Sequence, residues 1–130
     1  MTRVLIVDDE PHVLLVIRLG LERAGYEVAS ARNGQVALEL IRKSPPDMLI
    51  TDMNMPVMDG RALCEKVREE LKLEFPILVI STIAEVEKRS WVPPISNTEF
   101  FEKPISLRQL VARLEKQFGR SSATVGNGNG

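Results

Sequence analysis

Cysteine and histidine are nearly absent from this chain: its 130 residues contain one of each, Cys64 and His12. A single thiol excludes an internal disulfide and any cysteine-rich metal cage, which fits a reducing compartment. A lone histidine just inside a helix start cannot by itself make a metal or acid–base site, so His12 is expected at the surface. Net charge is also lacking, at −1, which leaves no electrostatic footprint for nucleic acid or an anionic membrane. Long hydrophobic runs are missing too. Nothing approaches the roughly 20 apolar residues of a membrane span. The N-terminal "VLIV" is too short for a signal peptide and ends in acids. What remains is ordinary for a soluble globular protein, with 44% apolar and 27% charged residues. The length suits one domain with its own core, and a cytoplasmic location is the expectation.

Strand-like and helix-like segments alternate along the chain. "RVLIV" (3–7) leaves no room for polar alternation, as in a strand buried on both faces. Residues 10–24 read as a helix with Pro11 in its first turn and Leu14, Ile17, Leu21 and Ala24 on one face, stopped by Gly25. A more exposed strand is expected over 26–30. A second helix follows over 33–44, with Asn33 as its cap and Val36, Leu40 and Ile41 facing inward. "DMLIT" (47–51) is the third strand, and Asp59 caps a helix carrying Leu63, Val67 and Leu71 on one stripe. Cys64 lies near that stripe, which favours packing over reactivity. Strands follow at 76–81 and 98–102. The last helix, 106–118, opens on Ser106 and Gln109 as a capping box and buries Leu107, Leu110, Val111, Leu114 and Phe118. Strands separated by helices imply right-handed crossovers and a parallel sheet covered on both sides. The polar, aperiodic tail at 120–130 is expected to be disordered, leaving a domain over 1–119.

In such a sheet, functional groups gather at the carboxyl ends of the strands. Here those ends carry Asp8, Asp9 and Glu10, then Asp52, then Ser81 and Thr82, then Lys103 and Pro104. Acids packed together cannot all stay ionised without a compensating cation. Mg2+ is the natural candidate, a hard ion that takes oxygen ligands and keeps several waters. Lys103 supplies a second positive charge and Ser81 a hydroxyl donor, so the set suits the oxygens of a transferring phosphoryl group. Asp52, at the tip of a central strand, is left as the nucleophile that forms an aspartyl phosphate, while Asp8 and Asp9 hold the metal. Taken singly, each piece has a plainer reading as a solvated turn, a cap or a backbone-bonded serine. All of them on one sheet edge, in order, point to chemistry.

The segments "VLIVDDEP" (4–11), "PDMLITDMNMPVMDG" (46–60), "PILVIST" (76–82) and "FFEKPI" (100–105) resemble the receiver domain of two-component response regulators. The resemblance runs from residue 3 to about 118. It implies a doubly wound, flavodoxin-like sheet of five parallel strands in the order 2-1-3-4-5, with helices on both faces. By position, it makes Asp52 the phospho-acceptor and Asp9 a direct Mg2+ ligand. Asp8 assists through water and the backbone carbonyl of Asn54 completes the protein's share of the metal site. Ser81 matches the hydroxyl that bonds the phosphoryl group, Lys103 the lysine that contacts a phosphoryl oxygen, and Phe100 the aromatic switch residue. Pro104 often follows a cis peptide bond in this family. The implied partners are a histidine kinase or histidine phosphotransfer protein, as phosphohistidine donor, and a downstream protein target. Direct nucleic-acid contact is not expected.

The chain departs from the family pattern after the fourth strand. Pro93 and Pro94 cannot sit in a helix interior, so a fourth helix is expected only over roughly 84–91, shortened or irregular. Trp91 is expected to pack beneath that loop, and Thr82 stands where the family usually has a smaller residue. Asn54 and Ile83 fall at positions that tune phosphoryl hydrolysis. One alternative is a pseudo-receiver, an interaction module without phosphorylation; the intact set Asp8, Asp9, Asp52, Ser81 and Lys103 argues against it. A magnesium phosphohydrolase would need a second acid two residues after the nucleophile, where Asn54 stands.

Overall fold

The computed structural model describes residues 1–82 and 95–119. The expected fourth helix, Trp91 and the tail at 120–130 lie outside the described residues. Strands β1 (Arg3–Val7), β2 (Glu27–Ala31), β3 (Met48–Asp52), β4 (Ile77–Ser81) and β5 (Thr98–Glu102) alternate with helices α1 (Pro11–Arg23), α2 (Gly34–Lys43) and α3 (Gly60–Glu69). Helix α4 (Leu107–Phe118) closes the described part. All neighbouring strands pair in parallel, in the order β2-β1-β3-β4-β5. This is the doubly wound sheet expected from the alternation.

The strand period of two divides the apolar residues into two cores. Val4, Ile6, Ile50, Leu78 and Ile80 face α1 and α4, where Leu14, Ile17, Leu21, Leu110 and Leu114 complete one cluster. Leu5, Val7, Leu49, Ile77 and Val79 face α2 and α3, meeting Ala37, Leu38, Ile41, Leu63, Cys64 and Val67. A sheet covered on both faces needs apolar residues at every position of its central strands, and β3 and β4 are buried throughout. Burial pushes the Cys64 thiol up to about 12, so it behaves as a small hydrophobe.

Helix starts follow their capping residues. Val36 N–H donates to Asn33 Oδ1 at 2.9 Å, Ala62 N–H to Asp59 Oδ1 at 2.9 Å and Gln109 N–H to Ser106 Oγ at 3.2 Å. Helix α1 has no side-chain cap and opens on Pro11. One stripe differs from expectation. Val36 is 39% exposed and Leu40 only partly buried, while Gly34, Ala37, Leu38 and Ile41 form the inward face of α2. Glycine and alanine carry little hydrophobic signal, yet their small size lets the helix start sit close to its neighbours.

Opposite the strand tips that carry the acids, one side chain ties several segments together. The Arg68 guanidinium is buried and donates to the carbonyls of Leu73, Phe75, Ser96 and Asn97 at 2.7–3.2 Å. It thereby joins the chain entering β4 to the chain entering β5. Lysine has one compact ammonium and cannot serve this fork of acceptors. Arg68→Lys is therefore expected to cost about 2–3 kcal/mol, through buried carbonyls left unsatisfied. Urea unfolding followed by circular dichroism checks this value.

Candidate functional site

The parallel register brings the strand tips together. Val7 lies opposite Thr51, and Asp52 opposite Ile80, so Asp8, Asp52 and Ser81 leave three adjacent strands side by side. Ser81 is opposite Glu102, and Lys103 N–H donates to the Ser81 carbonyl at 2.8 Å. The Lys103–Pro104 peptide is cis. Each functional side chain therefore stands on backbone fixed by sheet hydrogen bonds.

Carboxylate oxygens of Asp8, Asp9 and Asp52 lie within 4.8 Å of one another. Asp8 and Asp52 are buried, and Asp9 is exposed. Two donors reach Asp52 Oδ1: Lys103 Nζ at 2.9 Å and the Met53 N–H at 3.0 Å. Asp8 Oδ1 accepts from Glu10 N–H at 2.9 Å. That bond is not enough to keep Asp8 a normal acid. Burial first, then the neighbouring charges of Asp52, Asp9 and Glu10, push its carboxyl up to about 6 against the opposing Glu10 hydrogen bond. The Ser81 hydroxyl is buried without a hydrogen-bond partner among the described residues. A buried unsatisfied hydroxyl is costly and calls for an explanation in function or in a bound group.

The loop after Asp52 is held tightly. Gly60 N–H donates to Met53 O at 2.8 Å, and a Cβ on Gly60 would lie 2.5 Å from the Asp52 carbonyl oxygen. Only glycine allows that approach. Met58 N–H donates to Pro56 O at 2.7 Å, closing a three-residue turn about Val57, whose φ is 71°. A β-branched residue in the left-handed region stores strain. Asn54, two residues beyond Asp52, is exposed on this loop.

The donor set fits a divalent cation: three carboxylates with oxygen donors only and a surplus of negative charge. The orphaned Ser81 hydroxyl and the Lys103 ammonium fit an anionic group beside it. Asp8, Asp9, Asp52, Ser81 and Lys103 thus meet at one sheet edge, as expected. Phe100 lies on β5 and is 38% exposed, while the adjacent Phe101 packs into the α1–α4 core. Thr82 lines a groove that also borders Asp8 and Lys103. Two contributors were not foreseen: the Met53 N–H that bonds Asp52, and Gly34, which packs against the loop from α2. The first is invisible because any residue supplies an N–H. The second had a signal, a glycine on the inward stripe of a helix start.

In doubly wound sheets the strand ends are where ligands bind, and here they carry acids, a lysine and a hydroxyl. The family model described as response regulator receiver domain matches residues 4–115. The chain is 32% identical over 119 residues to the alkaline phosphatase synthesis transcriptional regulatory protein PhoP of Bacillus subtilis, covering 92% of this chain and 49% of that protein. It is 34% identical over 123 residues to the transcriptional regulatory protein PrrA of Mycobacterium tuberculosis, covering 95% of this chain and 52% of that one. The chain spans about half the length of these regulators. Among solved structures, the chemotaxis response regulator CheY4 of Vibrio cholerae superposes with a TM-score of 0.80 at 33% identity, covering 89% of this chain and 98% of that chain. The chain belongs to the response regulator receiver domain family. Receiver domains are signalling proteins that pair with histidine kinases and bind Mg2+ at an acidic pocket; the described residues of this chain include a group of three acids, Asp8, Asp9 and Asp52. No helix among the described residues is long and apolar enough to cross a membrane.

The raised pKa of Asp8 has a signed consequence for stability. Without metal, the folded chain holds this proton more tightly than the unfolded chain does. The favourable contribution is present in full below about pH 4. It is lost as pH rises through about 6. Asp8→Asn is expected to stabilise the metal-free protein at pH 7.5 by about 1–3 kcal/mol and to flatten its stability between about pH 4 and 6. Urea midpoints measured in chelator at about pH 4, about pH 6 and pH 7.5 check both effects.

Proposed function

We propose that this chain is a phosphoryl-accepting switch in which Asp52 takes a phosphoryl group from a phosphohistidine of a sensor kinase or histidine phosphotransfer protein. The observation that carries the reading is the pairing of a buried Asp52, bonded by Lys103, with a buried Ser81 hydroxyl on the adjoining strand that has no hydrogen-bond partner among the described residues. Asp8, Asp9, Asp52 and the Asn54 carbonyl are the groups that would hold Mg2+. When bound, the ion neutralises the oxygens of the transferring group.

Lys103 and the Met53 N–H fix Asp52 Oδ1, and with it the orientation of the carboxylate. An Asp52 oxygen attacks phosphorus as the phosphorus–nitrogen bond breaks. With its other ring nitrogen protonated, the imidazole leaves neutral. Lys103 moves from carboxylate to phosphoryl oxygen and Ser81 donates its hydroxyl to another, stabilising the charge that develops on the phosphoryl group. The acyl phosphate is a signal and not a released product, so the chain acts as a switch, with hydrolysis resetting it. Modification adds about −1.5 to −2 charges. Drawing Ser81 toward the phosphoryl group makes room for Phe100, now 38% exposed, to turn inward, changing the surface a downstream protein meets.

Access for a donor is supported by the surface of α1. Leu15, Val16 and Leu19 are 46–55% exposed. Val16 also lines a groove of about 550 Å³ with Val13, Ile105 and Leu107, and that groove borders Asp8 and Lys103. Its continuity with the acids makes it the seat for the phosphodonor's own apolar face.

Intact-mass analysis after incubation with acetyl phosphate and Mg2+ tests the reading. One phosphoryl adduct is expected, absent in Asp52→Asn and in chelator. If the unaltered chain gains no adduct and binds no Mg2+, the phosphorylation reading is overturned in favour of an interaction module. Val16→Asp with Leu19→Asp is expected to leave acetyl phosphate labelling within about twofold. Transfer from any phosphohistidine protein that labels the unaltered chain should slow by about tenfold or more, since interface anchors carry most binding energy.

A further inference from the structure

We infer that Gly34, at the first turn of α2, is a positioning residue for the metal site, acting through Met58 on the loop that carries Asn54. The inference rests on the reading that the Asn54 carbonyl contributes to Mg2+ binding. Helices α2 and α3 begin in the same way, with a glycine on the inward stripe: Gly34 before Ala37, Leu38 and Ile41, and Gly60 before Leu63, Cys64 and Val67. Both glycines are filled from outside by one loop. Gly60 receives the backbone of Asp52 and Met53, at 2.5 and 3.0 Å from where a Cβ would stand. Gly34 receives Met58, whose Cβ, Cγ and carbonyl oxygen would stand 2.9, 3.0 and 3.0 Å from a Cβ there. The loop between Asp52 and Asp59 is thus seated on two helix starts, one at each end.

The type of contact decides what a substitution does. Gly34→Ala would ordinarily favour the helix, because alanine loses less backbone entropy and ranks above glycine in propensity. Gly34 does not adopt the positive φ that would bar a side chain. The three nearest atoms all belong to Met58, and two of them are its Cβ and its carbonyl oxygen. Rotating the Met58 side chain moves neither atom. The clash can be relieved only by shifting the loop backbone or the start of α2. The loop has little slack, since the turn at Val57 is already strained and Gly60 N–H is bonded to Met53 O. A displacement begun at Met58 therefore reaches the short stretch that carries Asn54. Gly34 touches none of the acids, so any effect on metal binding runs through this seat.

The test compares Mg2+ affinity, by calorimetry on the unphosphorylated protein, in the unaltered chain, Gly34→Ala, Met58→Gly and the double variant. Gly34→Ala is expected to weaken Mg2+ binding by about tenfold, the usual scale for groups that orient ligands without touching the metal. Met58→Gly removes the same support from the other side and is expected to weaken binding as well. In the double variant, the alanine methyl replaces the lost Met58 bulk, so its affinity should exceed that of either single variant. That non-additivity would not arise from two independent losses of stability. The inference is overturned if Gly34→Ala binds Mg2+ within about twofold of the unaltered chain. It is equally overturned if the double variant binds Mg2+ no better than the tighter-binding single variant. Should Gly34→Ala fail to fold, Met58→Gly alone decides, and unchanged affinity sinks the idea. Absence of Mg2+ binding by the unaltered chain overturns the metal-site reading itself, and this inference with it.

Discussion

A carboxylate taken out of water must find positive charge, and at Asp52 that requirement organises the domain around it. Lys103 Nζ lies 2.9 Å from Asp52 Oδ1, yet the two residues are far apart in sequence. They meet only because β3, β4 and β5 run parallel and in register, with Lys103 N–H bonded to the Ser81 carbonyl. Parallel strands need crossover helices, and those helices need apolar residues on both faces of the sheet. The strands β3 and β4, buried at every position, therefore serve the ion pair as much as the core. Burial first, and then neighbouring carboxylates that one lysine does not offset, push Asp8 toward its neutral form. The same surplus of negative charge suits the site to a divalent cation.

Much of this was readable beforehand, for reasons that differ between elements. The strands were legible because a two-sided parallel sheet writes itself as short apolar runs ending in polar residues, as in "VLIVDD" and "MLITD". Helix starts were legible through Asn33, Asp59 and Ser106, whose side chains bond the first turns. The acids, Ser81 and Lys103 were legible because topology sends every strand end to one edge, and the family resemblance then gave each its role.

What stayed hidden depends on small atoms and on backbone. Val36 looked like an inward residue of α2, but the inward face was held by Gly34 and Ala37, whose lack of bulk is their contribution. The Met53 N–H that bonds Asp52 has no signature, since every residue but proline carries one. Arg68 reads as a routine surface charge on α3, yet four carbonyls from two loops converge on it. No local pattern announces where unsatisfied carbonyls will gather, because that depends on how the segment after α3 and the distant segment before β5 fold back onto it.

Arg68 has a mechanical consequence. It binds the entrances of β4 and β5 together, at the end of the sheet remote from Ser81 and Lys103. Two strands clasped at one end resist sliding past each other along their length. Force applied at the other end is then taken up as a slight swing about the clasp. Ser81 and Lys103 sit at the far tips, where a given angle gives the largest travel. The guanidinium thus fixes one end of the β4–β5 pair, and Ser81 and Lys103 lie at the end it leaves unclasped.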